Sequence, residues 1–171
     1  FSIDEKGRAF YSLNFHDKPV ILNSGLGFIL KDNVEWMKID TLDMMNNFKI
    51  LNVTFDSVDE YWNPVWGEES EIRNNYNEMF VELQQKESER KVNIRFRLFD
   101  DSLGFRYEFP LQEKLGSFII IDEKTEFAMA GDHTAMWIPG DYDTQEYNYT
   151  TSKLSEIEQK SIEFREENVS M

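Results

Sequence analysis

At 171 residues, 40% of them hydrophobic, the chain has the length and the apolar content of one domain, and with no cysteine it has neither disulfides nor thiolate metal sites. Its 18 basic residues against 33 acidic ones leave a net charge of −15, a field that repels phosphate backbones and anionic lipid and so argues against nucleic-acid and membrane partners. Aromatic residues reach 15% although the mean hydropathy is −0.58, which describes large rings enclosed by a wet, charged exterior. No apolar run approaches the roughly 20 residues of a membrane helix. The chain opens on Phe1 with neither initiator methionine nor signal peptide, and reads as a processed or trimmed product.

In chain order, the dominant period is two. Ala9, Tyr11, Leu13 and Phe15 alternate with Phe10, Ser12 and Asn14 as in a half-buried strand. A turn at His16-Asp17-Lys18 leads through Pro19 into Val20-Ile21-Leu22, and Gly25 and Gly27 bracket the approach to a short strand from Phe28 to Leu30. Leu51, Val53 and Phe55 are expected to share one strand face, and Met79, Val81 and Leu83 another. The clearest hairpin pairs Val92, Ile94, Phe96 and Leu98 with Phe105, Tyr107 and Phe109 across the loop 100–104, with Asn93, Arg95, Arg97, Arg106 and Glu108 on the opposite face. Pro110 ends it, and further strands are expected at Phe118–Ile121 and Glu126–Met129. Many short strands between regular turns predict an all-β antiparallel sandwich or barrel with little helix. That helix falls after Thr151, where Leu154, Ile157, Ser161 and Phe164 form one stripe and Ser155-Glu156-Ile157-Glu158 has the form of a capping box.

Three groups of residues invite a chemical reading. Tyr61-Trp62-Asn63-Pro64-Val65-Trp66-Gly67 sets two indoles four residues apart, either stacking surfaces for sugar rings or buried packing shaped by Pro64 and Gly67. Asp100-Asp101 is a carboxylate pair, but acidic residues at a hairpin tip are ordinary turn chemistry. His16 and His133 are the only histidines and have no companions that would make a triad or metal site. The segment from Gly131 to Tyr147 holds Asp132, Asp141, Asp143, Gln145 and Glu146 among several rings, decoration that suits neither a plain strand nor a plain loop. Its oxygens suit a hard cation such as calcium, with a solvated acidic loop as the rival, and its spacing is not that of an EF-hand.

Together three blocks resemble glycoside hydrolase family 97, whose members include periplasmic α-glucosidases and α-galactosidases of Bacteroidetes. The first is Tyr61-Trp62-Asn63-Pro64-Val65-Trp66-Gly67-Glu68 with Ile72-Arg73-Asn74-Asn75-Tyr76-Asn77-Glu78. The second is Ile94-Arg95-Phe96-Arg97-Leu98-Phe99-Asp100-Asp101 running on to Leu103-Gly104-Phe105-Arg106-Tyr107-Glu108-Phe109-Pro110. The third is Trp137-Ile138-Pro139-Gly140-Asp141-Tyr142-Asp143-Thr144-Gln145-Glu146-Tyr147. The resemblance implies an antiparallel β-super-sandwich of the galactose-mutarotase type. Residues 1–171 would form most of this N-terminal domain, in a periplasmic or secreted enzyme acting on α-glucosides or α-galactosides. It implies as partners an oligosaccharide substrate and the enzyme's own catalytic (β/α)8 barrel, which carries the catalytic acids; none of those maps onto this chain, which alone is expected to be inactive. One functional residue does map. Glu146 resembles the glutamate that reaches over the barrel mouth to bind calcium, while Asp141 and Asp143 shape the loop that delivers it. The competing expectations are a free-standing carbohydrate-binding module using Trp62, Trp66 or Trp137, and a purely structural sandwich.

Overall fold

The computed structural model describes residues 1–32, 41–140 and 147–169. Its strands are β1 (Ser2–Ile3), β2 (Ala9–Phe15), β3 (Lys18–Leu26), β4 (Phe28–Asp32), β5 (Thr41–Met44), β6 (Phe48–Trp62), β7 (Ile72–Gln85), β8 (Lys91–Leu98), β9 (Leu103–Glu108), β10 (Phe118–Glu123), β11 (Thr134–Trp137) and β12 (Thr150–Lys153). A single 3-10 turn, Leu154–Glu156, and helix α1 (Ile157–Val169) follow, so the chain is all-β with little helix, and the helix lies where the stripe places it. The residues fall into two compact units, Phe1–Tyr11 with Gly25–Glu126, and Ser12–Ser24 with Phe127–Met171.

In the first unit the antiparallel sheet β6-β7-β8-β9 presents one apolar face. Its register aligns Val81, Ile94 and Tyr107 in one row and Met79, Phe96 and Phe105 in the next. Against this face lie Ala9 and Tyr11 of β2, Phe28 and Leu30 of β4 and Met44 of β5, all buried. Two packed sheets with alternating inward residues make a sandwich. Part of the aromatic content is explained here, because seven rings form one file through the core. Tyr11 meets Phe96 and Phe105 at 6.2 and 5.2 Å, Phe105 meets Tyr107 at 6.1 Å, Tyr107 meets Phe28 at 4.3 Å, and Phe109 joins Phe28 to Phe118 at 5.5 and 4.7 Å. Tilted and edge-on pairs of this kind are worth about 0.5–1.5 kcal/mol each beyond their burial. The two phenols within the file have partners: Tyr11 donates to the Glu126 carbonyl at 2.8 Å, and the Tyr107 hydroxyl lies 2.8 Å from Thr125 Oγ1. Burial pushes Tyr107 up to about 12, so it stays protonated at neutral pH.

Several local expectations need correction, each for a physical reason. The β2–β3 turn is only His16-Asp17, both at positive φ, which matches the twist of the flanking strands; Lys18 and Pro19 already belong to β3. Pro19 is tolerated because β3 is an edge strand of its sheet. In β6 the register slips between Ile50 and Asn52, so Leu51 is the extra residue of a bulge, and Ile50 rather than Leu51 shares a face with Val53 and Phe55. Gly104 lies inside β9, not in the hairpin loop. Glu126–Met129 is not a strand: Ser24 Oγ takes the Ala128 N–H at 2.9 Å and Tyr11 takes the Glu126 carbonyl, which leaves only an isolated bridge from Met129 to Ile21. Thr134–Trp137, within the decorated segment, is a strand after all. The proposed cap Ser155-Glu158 gives way to two other contacts. Asp132 accepts from the Ser155 N–H and hydroxyl at 3.0 and 2.9 Å, and Glu156 accepts from the Lys153 N–H at 3.2 Å.

Candidate functional site

The decorated segment is carried by the second unit. Strands β11 and β12 form an antiparallel ribbon in which Trp137 lies opposite Thr150 and Thr134 opposite Lys153. The ribbon is pinned at both ends of that register. At one end Trp137 Nε1 donates to Ser152 Oγ at 3.0 Å, with Ser152 buried. At the other, Leu154 N donates to the His133 carbonyl at 3.0 Å, and Asp132 grips Ser155. The Ser155 donors hold the Asp132 carboxyl below the usual range, as expected for a carboxylate that accepts such bonds. From this base springs the segment 138–149, which contains Glu146. Glu146, with Asp141 and Asp143, lies outside the described residues. Among the described residues no group of three or more His, Asp or Glu side chains is placed to hold a metal ion.

The two indoles of the first block are not core. Trp66 is 88% exposed beside a fully exposed Val65 on the connection between β6 and β7, and Trp62, the last residue of β6, is 49% exposed. Asn63 fastens that connection by donating to the Ser70 carbonyl at 2.8 Å, and Arg73 pairs with Asp59 at 2.8 Å. Trp137 is half-buried, its N–H committed to Ser152, so the three Trp residues share no common platform within either unit. Asp100 and Asp101 are exposed at the hairpin tip, where Asp101 accepts from Ser102 Oγ at 3.0 Å, in keeping with turn chemistry. His16 packs its ring on Phe15 at 4.2 Å.

Sequence reasoning did not single out the ion ladder on the polar face of β7, β8 and β9. Glu78, only 11% exposed, accepts from Arg95 and, at 2.8 Å, from Arg97. Arg95 also meets Glu108 at 2.8 Å, and Glu108 in turn binds Arg106 at 2.8 Å. Two of the guanidinium groups stand over rings, Arg95 over Phe80 at 4.4 Å and Arg97 over Tyr76 at 4.3 Å. The signal was present in the alternation of Arg95, Arg97, Arg106 and Glu108, since the register sets Arg95 directly opposite Arg106 and so demands intervening carboxylates.

A sequence profile described as glycosyl-hydrolase 97 N-terminal matches residues 1–167. The chain belongs to glycoside hydrolase family 97. The retaining alpha-galactosidase of Bacteroides thetaiotaomicron is 24% identical over 169 residues, which cover 92% of this family 97 chain and 23% of that enzyme. A family 97 enzyme of Pseudoalteromonas sp. strain K8, solved with panose and with acarbose, is 36% identical and superimposes with a TM-score of 0.75 over 88% of this chain and 22% of its own. A beta-arabinopyranosidase at 21% identity shares the fold, with a TM-score of 0.70 over 87% of this chain. The family 97 chain described here therefore spans less than a quarter of the length of these relatives, and corresponds to their N-terminal domain.

Proposed function

We propose that the chain serves as the N-terminal domain of a calcium-dependent, periplasmic or secreted glycoside hydrolase acting on α-glucosides or α-galactosides. In this reading it supplies Glu146 as one calcium ligand and a surface that seats the catalytic barrel. The reading is supported chiefly by the match of residues 1–167 to the family's N-terminal region, in relatives of which the chain covers 22–23%. Glycoside cleavage needs two carboxyl groups flanking the scissile bond, so the acids that cut belong to the remainder of the enzyme. Calcium takes six to eight oxygens and one glutamate offers at most two, so Glu146 would complete a site rather than make one. When bound there, calcium would supply positive charge near the sugar hydroxyls. Asp141 and Asp143 would shape the approach of Glu146 to the ion.

The test is a calcium titration of the full-length enzyme, read both as activity and as direct calcium binding by calorimetry. Glu146→Gln removes a full charge with little change of shape. It should raise the calcium needed for half-maximal activity and binding by at least roughly tenfold, the lower end of what disturbing a metal site costs. Asp143→Asn should move both by much less. If Glu146→Gln follows the wild type in both readouts, the calcium role is wrong.

The exposure of Trp62 and Trp66 favours one alternative, a carbohydrate-binding module. Trp66→Ala in the full-length protein separates the two. Loss of oligosaccharide binding at unchanged melting temperature would support a stacking surface. A fall of several degrees in melting temperature with binding retained would mean that the ring is packed against the rest of the enzyme, which is the expected outcome.

A further inference from the structure

Beside the ion ladder, on the same face of the first unit, lies an open depression of about 170 Å³ lined by Arg95, Arg97, Phe99, Gly104, Phe105 and Arg106. Among the described residues no carboxylate lines it. The ladder's three guanidinium groups face only two carboxylates, Glu78 and Glu108, in a chain whose net charge is −15. The nearest further acid in the row, Asp56, lies opposite Glu78 on β6, two strands away from Arg97, and bonds its own neighbour's N–H. Arg95 spends all three of its nitrogens on Glu78 and Glu108. Arg97 spends only Nε, so among the described residues its two terminal nitrogens make no hydrogen bond. The group is nevertheless held, by Glu78 through Nε and by the Tyr76 ring beneath it, and Tyr76 is itself packed on Phe99 at 5.5 Å. A held guanidinium with an unused fork is pre-organised for an oxyanion. Opposite Arg97 stands Gly104, where an added Cβ would meet nothing within 4 Å, so the strand leaves this space open.

We propose that this depression binds the carboxylate of an acidic sugar, a hexuronate residue, with Arg97 receiving the carboxylate through its terminal nitrogens and Arg106 flanking it. The space suits a single pyranose ring, and Phe99 offers an apolar surface beside the charge. The choice of a sugar acid over other carboxylates rests on the carbohydrate reading above; the anion site itself does not, and it is independent of calcium.

The experiment is an equilibrium titration of the full-length protein by calorimetry with glucuronate and galacturonate, run against glucose, galactose and acetate, with circular dichroism and melting curves for each variant. The uronates should saturate with a Kd of roughly millimolar order, at least tenfold tighter than the neutral sugars. Arg97→Lys keeps the charge and loses the fork, and should weaken uronate binding about tenfold. Gly104→Val sets a branched side chain opposite Arg97, fills the depression without requiring an unusual backbone, and should abolish the binding even if Arg97→Lys disturbs the fold. Uronates binding no better than neutral sugars would overturn the proposal, and so would a Gly104→Val titration that matches the wild type. Acetate binding as tightly as the uronates would replace the sugar acid with an acidic side chain of a protein partner, which also overturns it.

Discussion

Gly7→Ala is expected to destabilise the protein by about 2–5 kcal/mol. Gly7 closes the turn between β1 and β2 at φ +73°, where an L-alanine costs about 1–2 kcal/mol. The second contribution is steric. A Cβ there would lie 2.5 Å from Phe48 N and 2.7 Å from Phe48 O, both main-chain atoms. Neither can swing aside, because Phe48 N already donates to the Gly7 carbonyl at 3.0 Å and Asn47 N to the Lys6 carbonyl at 2.9 Å. Prying this contact apart costs a further 1–3 kcal/mol, the usual range for overpacking. Urea denaturation measures the sum, and Gly116→Ala is the control, since a Cβ at Gly116 meets nothing within 4 Å. That control should change stability by less than about 1 kcal/mol. Equal behaviour of the two variants would mean that Gly7 is not the tight contact described.

Glu78→Gln should cost about 2–3 kcal/mol. Breaking a buried ion pair by removing one partner typically costs about 3–5 kcal/mol, because the other charge is stranded. Here the figure is discounted, since Arg95 keeps Glu108 and Arg97 is 39% exposed to water. A double-mutant cycle with Arg97→Gln apportions the pair, and a loss below about 0.5 kcal/mol would reduce the ladder to an ordinary surface decoration. The ladder also has a pH signature through Glu108. Arg95 first, and then Arg106, hold its carboxyl below the usual range, so its folded pKa lies under its unfolded one. That stabilisation is fully present above the unfolded carboxylate value of about 4.3 and is lost as the pH falls through the lower, folded value. Glu108→Gln should flatten the acid limb of the stability profile while lowering the plateau at neutral pH.

Periodicity made the sandwich legible wherever both faces of a strand differ in polarity. The hairpin from Val92 to Phe109 is an instance, because its alternation survives intact in the paired register. It failed where chemically equivalent residues compete for one position: Ile50 and Leu51 are interchangeable to a pattern, and only the pairing with Leu83 selects Ile50. It failed again where a side chain takes a backbone partner. Neither the hydroxyl of Ser24 on Ala128 nor Asp132 on Ser155 leaves a trace at short range, since each joins residues more than 20 positions apart. Arg95 and Arg97 looked like a solvent face because Glu78 reaches them from the neighbouring strand. The expectation for Glu146, which lies outside the described residues, rests on a different signal, the resemblance of a whole block rather than its own surroundings.

The pinned ribbon of β11 and β12 determines where this part of the chain can change length. An insertion of one residue within Thr134–Trp137 or Thr150–Lys153 would slip the pairing and turn every later side chain to the opposite face, taking Trp137 away from Ser152. An insertion between residues 138 and 149 leaves that register untouched, because both ends stay fixed where Trp137 faces Thr150. Across descendants of one ancestor, additions and deletions should therefore collect in that interval and spare its flanks. Whatever the interval contacts could then be altered by lengthening or trimming it, at no expense to the strands that present it.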